Sequence, residues 1–299
     1  MGALLLVRYG ELALKSPPVR REFEAALRRN IVRQFTAAGL ELRIRSDRGH
    51  LYAEVGDAEA GARLLCRVFG VTSVSWVHEV PTDRGAITAK VVELAGPRLV
   101  PGASFAVRAR RTGSHPFTSQ ELARDLGSDL LEAFGDRQLR VDLTHPQVEV
   151  FVEVRGPRTY LYFDRSGGPG GLPLGVAGRL VALVDGERGA LGAYLMMKRG
   201  CYVALAVPPG VDPTVRDVLA KFDPGLRVTE VPAESPARAA ALGVLASSSH
   251  ADGVVLPLRV EEYPQARATW GETVVFSPTV GLHDDEVRSR WRAVEALAS

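Results

Sequence analysis

The segment that most constrains the fold is residues 180–200, which read LVALVDGERGALGAYLMMKRG. Five apolar residues, 180–184, precede a short polar turn at 185–189, and an apolar run then continues to Lys198, Arg199 and Gly200. A strand, a glycine turn and a helix that ends in cations and a glycine are typical of a phosphate-binding unit. The pattern therefore predicts an α/β fold around this segment.

Apolar runs after this unit alternate with helical segments, as in a doubly wound parallel sheet. The candidate strands are residues 202–207, 227–231, 254–256 and 273–276. A last helix would be capped by Asp284 or Asp285. We therefore predict a Rossmann-like, parallel-sheet domain over residues 179–299.

The first 80 residues follow a different order, predicted as strand, helix, strand, strand, helix, strand. Apolar side chains recur every four positions in the first helix, residues 19–38, and its other faces are basic. Asp57 can cap a second helix that runs to residue 68. This order is the split βαβ, ferredoxin-like pattern, here assigned to residues 1–80.

Residues 81–166 form a second predicted α/β domain. A helix capped by Thr82 or Asp83 precedes a strand at 104–110, a helix opens at Ser119, and a hairpin turns at Gly156-Pro157. Residues 167–178 hold six glycines and two prolines in twelve positions, so we interpret them as a linker.

Composition excludes several classes of protein. The chain has 299 residues with 46% hydrophobic and 24% charged content, which is ordinary for a globular protein. No apolar stretch approaches the roughly 18 residues that cross a bilayer, and the first residues lack the features of a signal peptide, so we expect a cytoplasmic protein. Cys66 and Cys201 are too far apart for a CxxC pair, and the histidines lack ligand spacing, so no metal site is predicted.

Charge is unevenly distributed along the chain. Residues 1–50 carry ten Lys or Arg against five Asp or Glu, whereas the whole chain has a net charge of only +2. A basic amino-terminal section suggests that a polyanion binds there. A basic solvated surface without a ligand gives the same pattern.

Several strings resemble the ThiI family, the tRNA 4-thiouridine synthetases that also serve thiamine biosynthesis. They are RYGELALKS at 8–16, VRARRTGSHPFTS at 107–119, VDLTHPQV at 141–148, GGLPLG at 170–175 and AYLMMKRG at 193–200. The resemblance implies a ferredoxin-like domain, a THUMP domain that binds RNA, and a PP-loop domain of the adenine nucleotide alpha hydrolase-like kind. It covers nearly the whole chain and is faint after residue 200.

The glycine turn departs from the family. The family's PP-loop reads Ser-Gly-Gly-(Phe or Ile)-Asp-Ser, whereas residues 184–189 here read VDGERG, so that only Gly186 matches. Asp185 places negative charge where a polyphosphate would bind, Arg188 replaces the family's aspartate, and Gly189 replaces a hydroxyl. Residual phosphate binding through Arg188 stays open. A turn that only joins strand to helix is the favoured reading.

The family's other catalytic features are also missing. Cys201 follows the helix directly and is interpreted as a buried apolar residue, and no cysteine comes after it to carry sulfur. The later Thr-Gly-Glu and Gly-Gln-Val stretches are replaced by VLPL at 255–258. We therefore predict a shortened, degenerate PP-loop domain without a resident cofactor, with ATP and Mg²⁺ used only if the altered loop still functions.

The first candidate RNA-binding cluster lies in the segment that resembles the THUMP domain. Arg108 and Arg110 fall on one face of a strand, Arg111 and His115 follow in a turn, and Phe117 could stack on a base. Spacing alone is equally typical of a solvated face, and the resemblance favours RNA binding.

The second candidate cluster lies on and before the first helix. It comprises Lys15, Arg20 and Arg21, with Arg28 and Arg29 further along the helix. Each cation that neutralises a phosphate would steepen the salt dependence of RNA binding. An amphipathic helix with a basic outer face remains the alternative.

Three functions stay open at this point. The favoured one is a tRNA-binding protein that contacts the acceptor arm and 3′ end, as the family implies, without its own adenylation or sulfur transfer. The others are an ATP-dependent tRNA 4-thiouridine sulfurtransferase with an altered site around Asp185 and Arg188, and a dimeric accessory subunit of a tRNA-modification system. Expected partners are tRNA, a second copy in a homodimer and a separate modifying enzyme, and neither DNA nor a membrane.

Overall fold

The computed structural model describes residues 2–10, 16–47 and 50–299. Its first sheet has the strand order β2-β3-β1-β4-β8-β7-β5-β6, with β9 paired to β4. These strands are β1 (Ala3–Tyr9), β2 (Leu42–Asp47), β3 (His50–Val55), β4 (Val71–Pro81), β5 (Ser104–Thr112), β6 (Arg140–Val141), β7 (Val148–Arg155), β8 (Arg158–Tyr162) and β9 (Ser166–Gly167).

The amino-terminal elements confirm the predicted ferredoxin-like order, with α1 (Pro17–Ala37) after β1 and α2 (Ala58–Leu65) between β3 and β4. Helix α2 ends three residues before the predicted residue 68. The chain tightens there through an i→i+3 bond in which the Val68 amide donates to the Leu65 carbonyl, and Gly70 then adopts a φ of +98°. Such a turn ends an α-helix before its apolar pattern ends.

The second region contains α3 (Arg84–Ala95) and α4 (Ser119–Ala133). Asp83, one of the two predicted caps, accepts from the Ala86 amide, and Thr118 forms a capping box with Glu121 in front of α4. Both helices pack on one face of β5, β7 and β8, where Leu126, Val150 and others are fully buried. The predicted hairpin is β7–β8, which turns at Gly156-Pro157.

The second sheet is parallel throughout, with the order β12-β11-β10-β13-β14. Its strands are β10 (Arg179–Leu183), β11 (Tyr202–Val207), β12 (Val228–Glu230), β13 (Gly253–Val255) and β14 (Val275–Phe276). The helices of this region are α5 (Glu187–Lys198), α6 (Pro213–Phe222), α7 (Ser235–Ser248), α8 (Tyr263–Trp270) and α9 (Asp284–Ala298).

Both faces of the parallel sheet are covered, as a doubly wound fold requires. Alternate residues of β10 face two different cores: Ala182 packs with helices α5, α6 and α9, and Val181 packs with α7. Helix α9 is capped by His283, not by the predicted Asp284 or Asp285. The two acids lie instead in its first turn, where their negative charges interact favourably with the positive end of the helix dipole.

The chain divides into two compact units. The first comprises Met1–Leu6, Tyr52–Ala58 and Ser75–Ser166, and the second comprises Val7–Leu51, Glu59–Val74 and Gly167–Ser299. Within the described ranges, no helix combines the length and apolar character needed to cross a membrane.

Helix α1 belongs to the second unit, together with the parallel sheet. Two of its buried side chains are polar: Asn30 donates to the Leu174 carbonyl at 3.2 Å and Gln34 donates to the Phe222 carbonyl at 3.0 Å. These bonds satisfy amides that would otherwise be buried without a partner. Sequence analysis found the apolar stripe of this helix but not its polar anchors.

The glycine-rich residues 167–178 are ordered and hydrogen-bonded inside the second unit. The Leu172 amide donates to the Lys198 carbonyl at 2.9 Å, and the Gly175 amide donates to the Gly200 carbonyl at 2.8 Å. Gly175 has a φ of +89°, and a Cβ there would overlap the Tyr202 ring. The segment is therefore fitted to the start of β11.

We predict that Gly175→Ala destabilises the protein by more than about 2 kcal/mol, because it adds both backbone strain and an overlap with Tyr202. Gly170→Ala is the matched control, since Gly170 also has a positive φ, +64°, but faces open space. It should cost only the backbone strain of about 1 kcal/mol. Urea unfolding measures the free energy of unfolding of both variants. Equal losses of stability would show that the fit to Tyr202 has no energetic role.

Candidate functional site

The two candidate arginines of β5, Arg108 and Arg110, lie on the sheet face that α3 and α4 do not cover. Strands β5 and β7 are parallel, and their register pairs Arg108 with Phe151 and Arg110 with Glu153. Paired residues of neighbouring strands share one face of a sheet. The two arginines therefore share one face of the strand, as the spacing predicted, and Phe151, which the spacing did not predict, lies beside them.

A cavity of about 400 Å³ lies along this part of β5. Its aromatic wall is Phe151, which stacks on Tyr162 with ring centroids 4.9 Å apart. The guanidinium of Arg165 lies over the Phe151 ring, 4.4 Å from its centroid, and donates to the Tyr162 hydroxyl at 3.0 Å. Arginine, phenylalanine and tyrosine side chains of this kind can contact phosphates and stack on bases.

The arginines of this cavity differ in how far their charge is neutralised. Arg108 forms an ion pair with Glu149 at 2.9 Å and donates to the Leu143 carbonyl at 2.7 Å. Within the described ranges, Arg110 and Arg165 have no ion pair, and both are exposed. The positive charge available to an external anion therefore comes mainly from Arg110 and Arg165.

The turn after β5 is held by its own contacts. Arg111 donates to the Gly113 carbonyl at 3.0 Å, and a ring nitrogen of His115 lies 3.1 Å from the Thr112 carbonyl oxygen. The Phe117 ring stacks on His115 at 5.8 Å and is half-buried against the core of α3 and α4. Base stacking by Phe117 stays a prediction.

The second candidate cluster is only partly available. Arg20 is paired with Glu24 at 2.8 Å, and the Tyr9 hydroxyl donates to the same carboxylate. Burial and this hydrogen bond raise the pKa of Tyr9 to about 12, so the hydroxyl keeps its proton at neutral pH. Arg21 is exposed, and Lys15 lies outside the described residues.

The altered glycine loop joins β10 to α5, with Gly186 as the N-cap residue. A Cβ on Gly189 would lie 2.5 Å from the Leu183 carbonyl oxygen, so this glycine permits the close approach of helix and strand. Burial raises the pKa of Asp185, which lies in the turn itself. The loop thus keeps the strand–turn–helix geometry that the sequence predicts.

Arg188 does not point toward an open anion site. It donates to the carbonyls of Thr279 and Leu282 at 2.7 and 2.8 Å and to Asp284 at 2.9 Å, and its side chain is only 11% exposed. Arg259 donates to both oxygens of the same Asp284 carboxylate at 2.8 Å. Residual phosphate binding through Arg188, which the sequence left open, is not favoured, because this side chain connects the glycine loop to residues 279–284.

A cavity of about 250 Å³ lies beside this loop, at the carboxyl ends of β10 and β13. Strand order reverses between these two strands, and open α/β sheets bind ligands at such a point. Its walls include Asp185, Arg238, Glu262 and Trp270. The charges facing this cavity are therefore mixed and not suited to a polyphosphate.

Both cysteines are buried, free thiols. Burial raises the pKa of Cys66 to about 11, and burial followed by the nearby Asp252 raises the pKa of Cys201. A thiol with a raised pKa is a poor nucleophile at neutral pH. No group of three or more His, Cys, Asp or Glu side chains suited to a metal ion occurs in the described part of the chain.

Sequence analysis missed the residues that complete the β5 cavity. These are Phe151, Glu153, Tyr162 and Arg165, together with Glu149, which pairs with Arg108 but does not line the cavity. The alternation of β7 could have indicated that Phe151 and Glu153 share a face. The position of Arg165 over Phe151 depends on how the chain leaves β8, and no local pattern encodes it.

Two family models match the chain. The ThiI ferredoxin-like domain matches residues 4–75, and the THUMP domain matches residues 82–164. The β5 cavity lies inside the THUMP match, apart from Arg165, which directly follows it.

Curated relatives match over about two thirds of the chain. A probable tRNA sulfurtransferase of Methanosarcina acetivorans is 38% identical over 205 residues, covering 67% of this chain and 49% of the relative. The tRNA sulfurtransferase of Pyrobaculum aerophilum is 38% identical over 203 residues, covering 67% and 40%. The chain thus spans about half the length of the curated relatives it matches, or less.

Two solved structures share the whole architecture. PH1313 from Pyrococcus horikoshii Ot3 superposes with a TM-score of 0.82 at 26% identity, covering 98% of this chain and 99% of that one. A 4-thiouridine synthetase in complex with RNA and ATP superposes with a TM-score of 0.81 at 22% identity, covering 100% and 86%. Together with the two matched domains and the similar sulfurtransferases, this shared fold shows that the chain belongs to the ThiI family.

Proposed function

We propose that this protein binds tRNA at the acceptor arm and 3′ end and does not itself adenylate the RNA or transfer sulfur to it. The observation that carries the binding half of the proposal is the β5 cavity within the THUMP match. There, Arg110 and Arg165, which have no ion pair among the described residues, lie beside a stacked Phe151–Tyr162 pair. We take tRNA as the polyanion because the similar proteins are tRNA sulfurtransferases and one similar structure is a complex with RNA.

The arrangement suits a single-stranded end better than a duplex. Guanidinium groups bind a phosphate backbone whatever the base sequence of the RNA. An unpaired base can in addition stack on an aromatic ring or on the plane of an arginine. Arg165 and Phe151 offer such a plane and ring at the cavity wall. An A-form duplex would reach the arginines with its phosphates but would keep its bases stacked inside.

The proposed lack of adenylation and sulfur transfer is supported by the glycine loop. An adenylating loop needs several backbone amides aimed at pyrophosphate, hydroxyls that support them and a carboxylate for Mg²⁺. Here Arg188 is engaged with residues 279–284, and the carboxyl of Asp185 lies where pyrophosphate would approach. Neither buried cysteine supplies a low-pKa thiolate for a persulfide.

A second candidate function is an ATP-dependent sulfurtransferase with an altered site. The cavity beside Asp185 motivates it, because its position at the carboxyl ends of β10 and β13 is where this fold holds ligands. The homodimer belongs to the accessory-subunit alternative and the separate modifying enzyme to the tRNA-binding function, and both remain predictions.

We predict that Arg110→Ala and Arg165→Ala each weaken tRNA binding roughly tenfold, and that each lowers the slope of log affinity against log salt by about 1, because each removes an unpaired charge. Arg108→Ala should have a smaller effect, since Glu149 already neutralises Arg108. Fluorescence anisotropy with labelled tRNA measures both quantities.

The matched control for these variants is Arg124→Ala, which removes an exposed arginine of α4 that is paired with Asp125. It should leave binding unchanged. A tRNA that lacks its 3′ end should bind the wild type more weakly, and should lose less affinity than intact tRNA on Arg165→Ala. If tRNA affinity is unchanged by all three cavity substitutions, at Arg108, Arg110 and Arg165, the RNA binds elsewhere.

We predict no saturable ATP binding in equilibrium dialysis and no pyrophosphate release with Mg²⁺ and tRNA, because the loop places the Asp185 carboxyl group beside its amides and has no supporting hydroxyls. If ATP does bind, Asp185→Asn should tighten it, while Asp217→Asn on the exposed face of α6 should not. Pyrophosphate release that depends on tRNA would establish the sulfurtransferase alternative.

We predict that Asp284 titrates far below its ordinary pKa of 3.8, at about 2, because first Arg259 and then Arg188 donate to its carboxylate. A lowered folded-state pKa stabilises the protein above the unfolded pKa, and this contribution is lost as pH falls from about 4 toward 2. NMR titration of the carboxyl groups in the wild type and in Arg259→Met measures the pKa of Asp284, which should be higher in the variant. A wild-type value near 3.8 would mean that the Arg188–Asp284 connection does not persist in solution.

A further inference from the structure

A second arginine-rich cavity lies in the parallel-sheet unit, at the opposite edge from the glycine loop. It occupies about 230 Å³ at the amino-terminal ends of β10 and β11. Its lining includes Arg33, Arg179, Tyr202, Asp223 and Arg227. Neither the proposed tRNA contacts nor the altered loop uses any of these residues.

The charge of this cavity is strongly unbalanced. Three guanidinium groups line it against one carboxylate, that of Asp223, which is paired with Arg33 at 2.5 Å. The side chains of Arg179 and Arg227 have no ion pair anywhere in the described part of the chain. Two positive charges therefore face the same concave surface without a protein counter-ion, which attracts an anion.

Arg33 is held in a fixed position at the wall of the cavity. Asp223, which is only 3% exposed, accepts from Arg33 and also from the Gly225 amide at 3.0 Å. The Arg33 guanidinium lies 5.9 Å from the centre of the Tyr202 ring and fills the space where a Cβ of residue 225 would be. A guanidinium fixed in this way loses little entropy when it binds a ligand.

The volume of the cavity and the chemistry of its side chains limit the class of ligand that it can bind. The cavity is smaller than the sites of drug-sized ligands, which are on the order of 300–1,000 Å³. Guanidinium groups bind phosphate oxygens through paired hydrogen bonds, and a phosphoryl group offers enough oxygens for several arginines. One phosphoryl group with a small attached moiety fits this volume better than a whole nucleotide.

We propose that Arg33, Arg179 and Arg227 form a phosphoryl-binding site at the amino-terminal edge of the parallel sheet. Arg179 and Arg227 bind the oxygens of the phosphoryl group, and Arg33, positioned by Asp223, completes the wall. The phosphoryl group belongs either to a small phosphorylated molecule or to the backbone of a bound RNA, and these two sources share the chemistry of the site.

The test compares the wild type with Arg179→Ala/Arg227→Ala. The matched control, Arg216→Ala/Arg288→Ala, removes two exposed arginines of α6 and α9 from the same unit. Inorganic phosphate is titrated calorimetrically at constant ionic strength, with chloride as the competing anion, and tRNA is titrated by anisotropy. We expect phosphate to bind the wild type and the control alike and the cavity variant at least roughly tenfold more weakly.

A second variant keeps every charge of the site. Gly225→Ala displaces the Arg33 guanidinium because the added methyl group occupies its position. Phosphate should then bind more weakly than in the wild type, while circular dichroism remains native. This distinguishes a built site from a general attraction between phosphate and a basic surface.

The outcomes separate the two sources. Weaker phosphate binding with unchanged tRNA affinity assigns the site to a small phosphorylated ligand. Weaker binding of both assigns it to an RNA phosphate. If phosphate does not bind the wild type, or binds all variants alike, the proposal is wrong. The phosphate titration gives this answer even for a protein that does not bind tRNA, so the site and the proposed function fail separately.

Discussion

Helix α5 lies directly against strand β10 because residue 189 carries no side chain. A Cβ there would sit 2.5 Å from the Leu183 carbonyl oxygen and 2.9 Å from the Val184 Cα, and neither backbone atom could move without breaking the central strand. This approach places Arg188 within reach of the carbonyls of Thr279 and Leu282. The same strand–turn–helix unit that would cradle phosphate in an active site is here joined to the segment that leads into α9.

Ion pairs inside the protein decide which arginines of β5 are available to an external polyanion. Arg108 and Arg110 are two residues apart on one face of β5, yet Arg108 is paired with Glu149 and Arg110 has no ion pair in the part of the chain that the structure describes. An exposed ion pair contributes little to stability, but it removes a charge that would otherwise displace a counter-ion from RNA. Counting arginines along the sequence therefore overestimates the charge that the THUMP match presents.

The sequence predicted the fold better than the sites because the two depend on different ranges of interaction. The apolar runs of β10 and β11 and the capping residue Asp83 are local signals, whereas residues 167–178, which we interpreted as a linker, are hydrogen-bonded to residues 198–200. The partner of Arg188 lies 91 residues away, and Arg33 and Asp223 are separated by still more. His283 is the N-cap residue of α9 although two acids follow it, because its amide donates to the Glu286 carboxylate in a backbone geometry that residue type alone does not fix.

The two edges of the parallel sheet differ in their electrostatics. Folds of this kind bind ligands beyond the carboxyl ends of their strands, and the cavity there contains carboxyl groups of Asp185 and Glu262 facing a single arginine, Arg238. At the amino-terminal ends of the strands the charge balance is reversed, since Arg179 and Arg227 line the cavity there and have no ion pair within the described ranges. An anion that approaches this sheet is therefore repelled by acids at the usual edge and attracted at the other. If the domain still binds a phosphorylated ligand, Coulomb's law favours the amino-terminal edge.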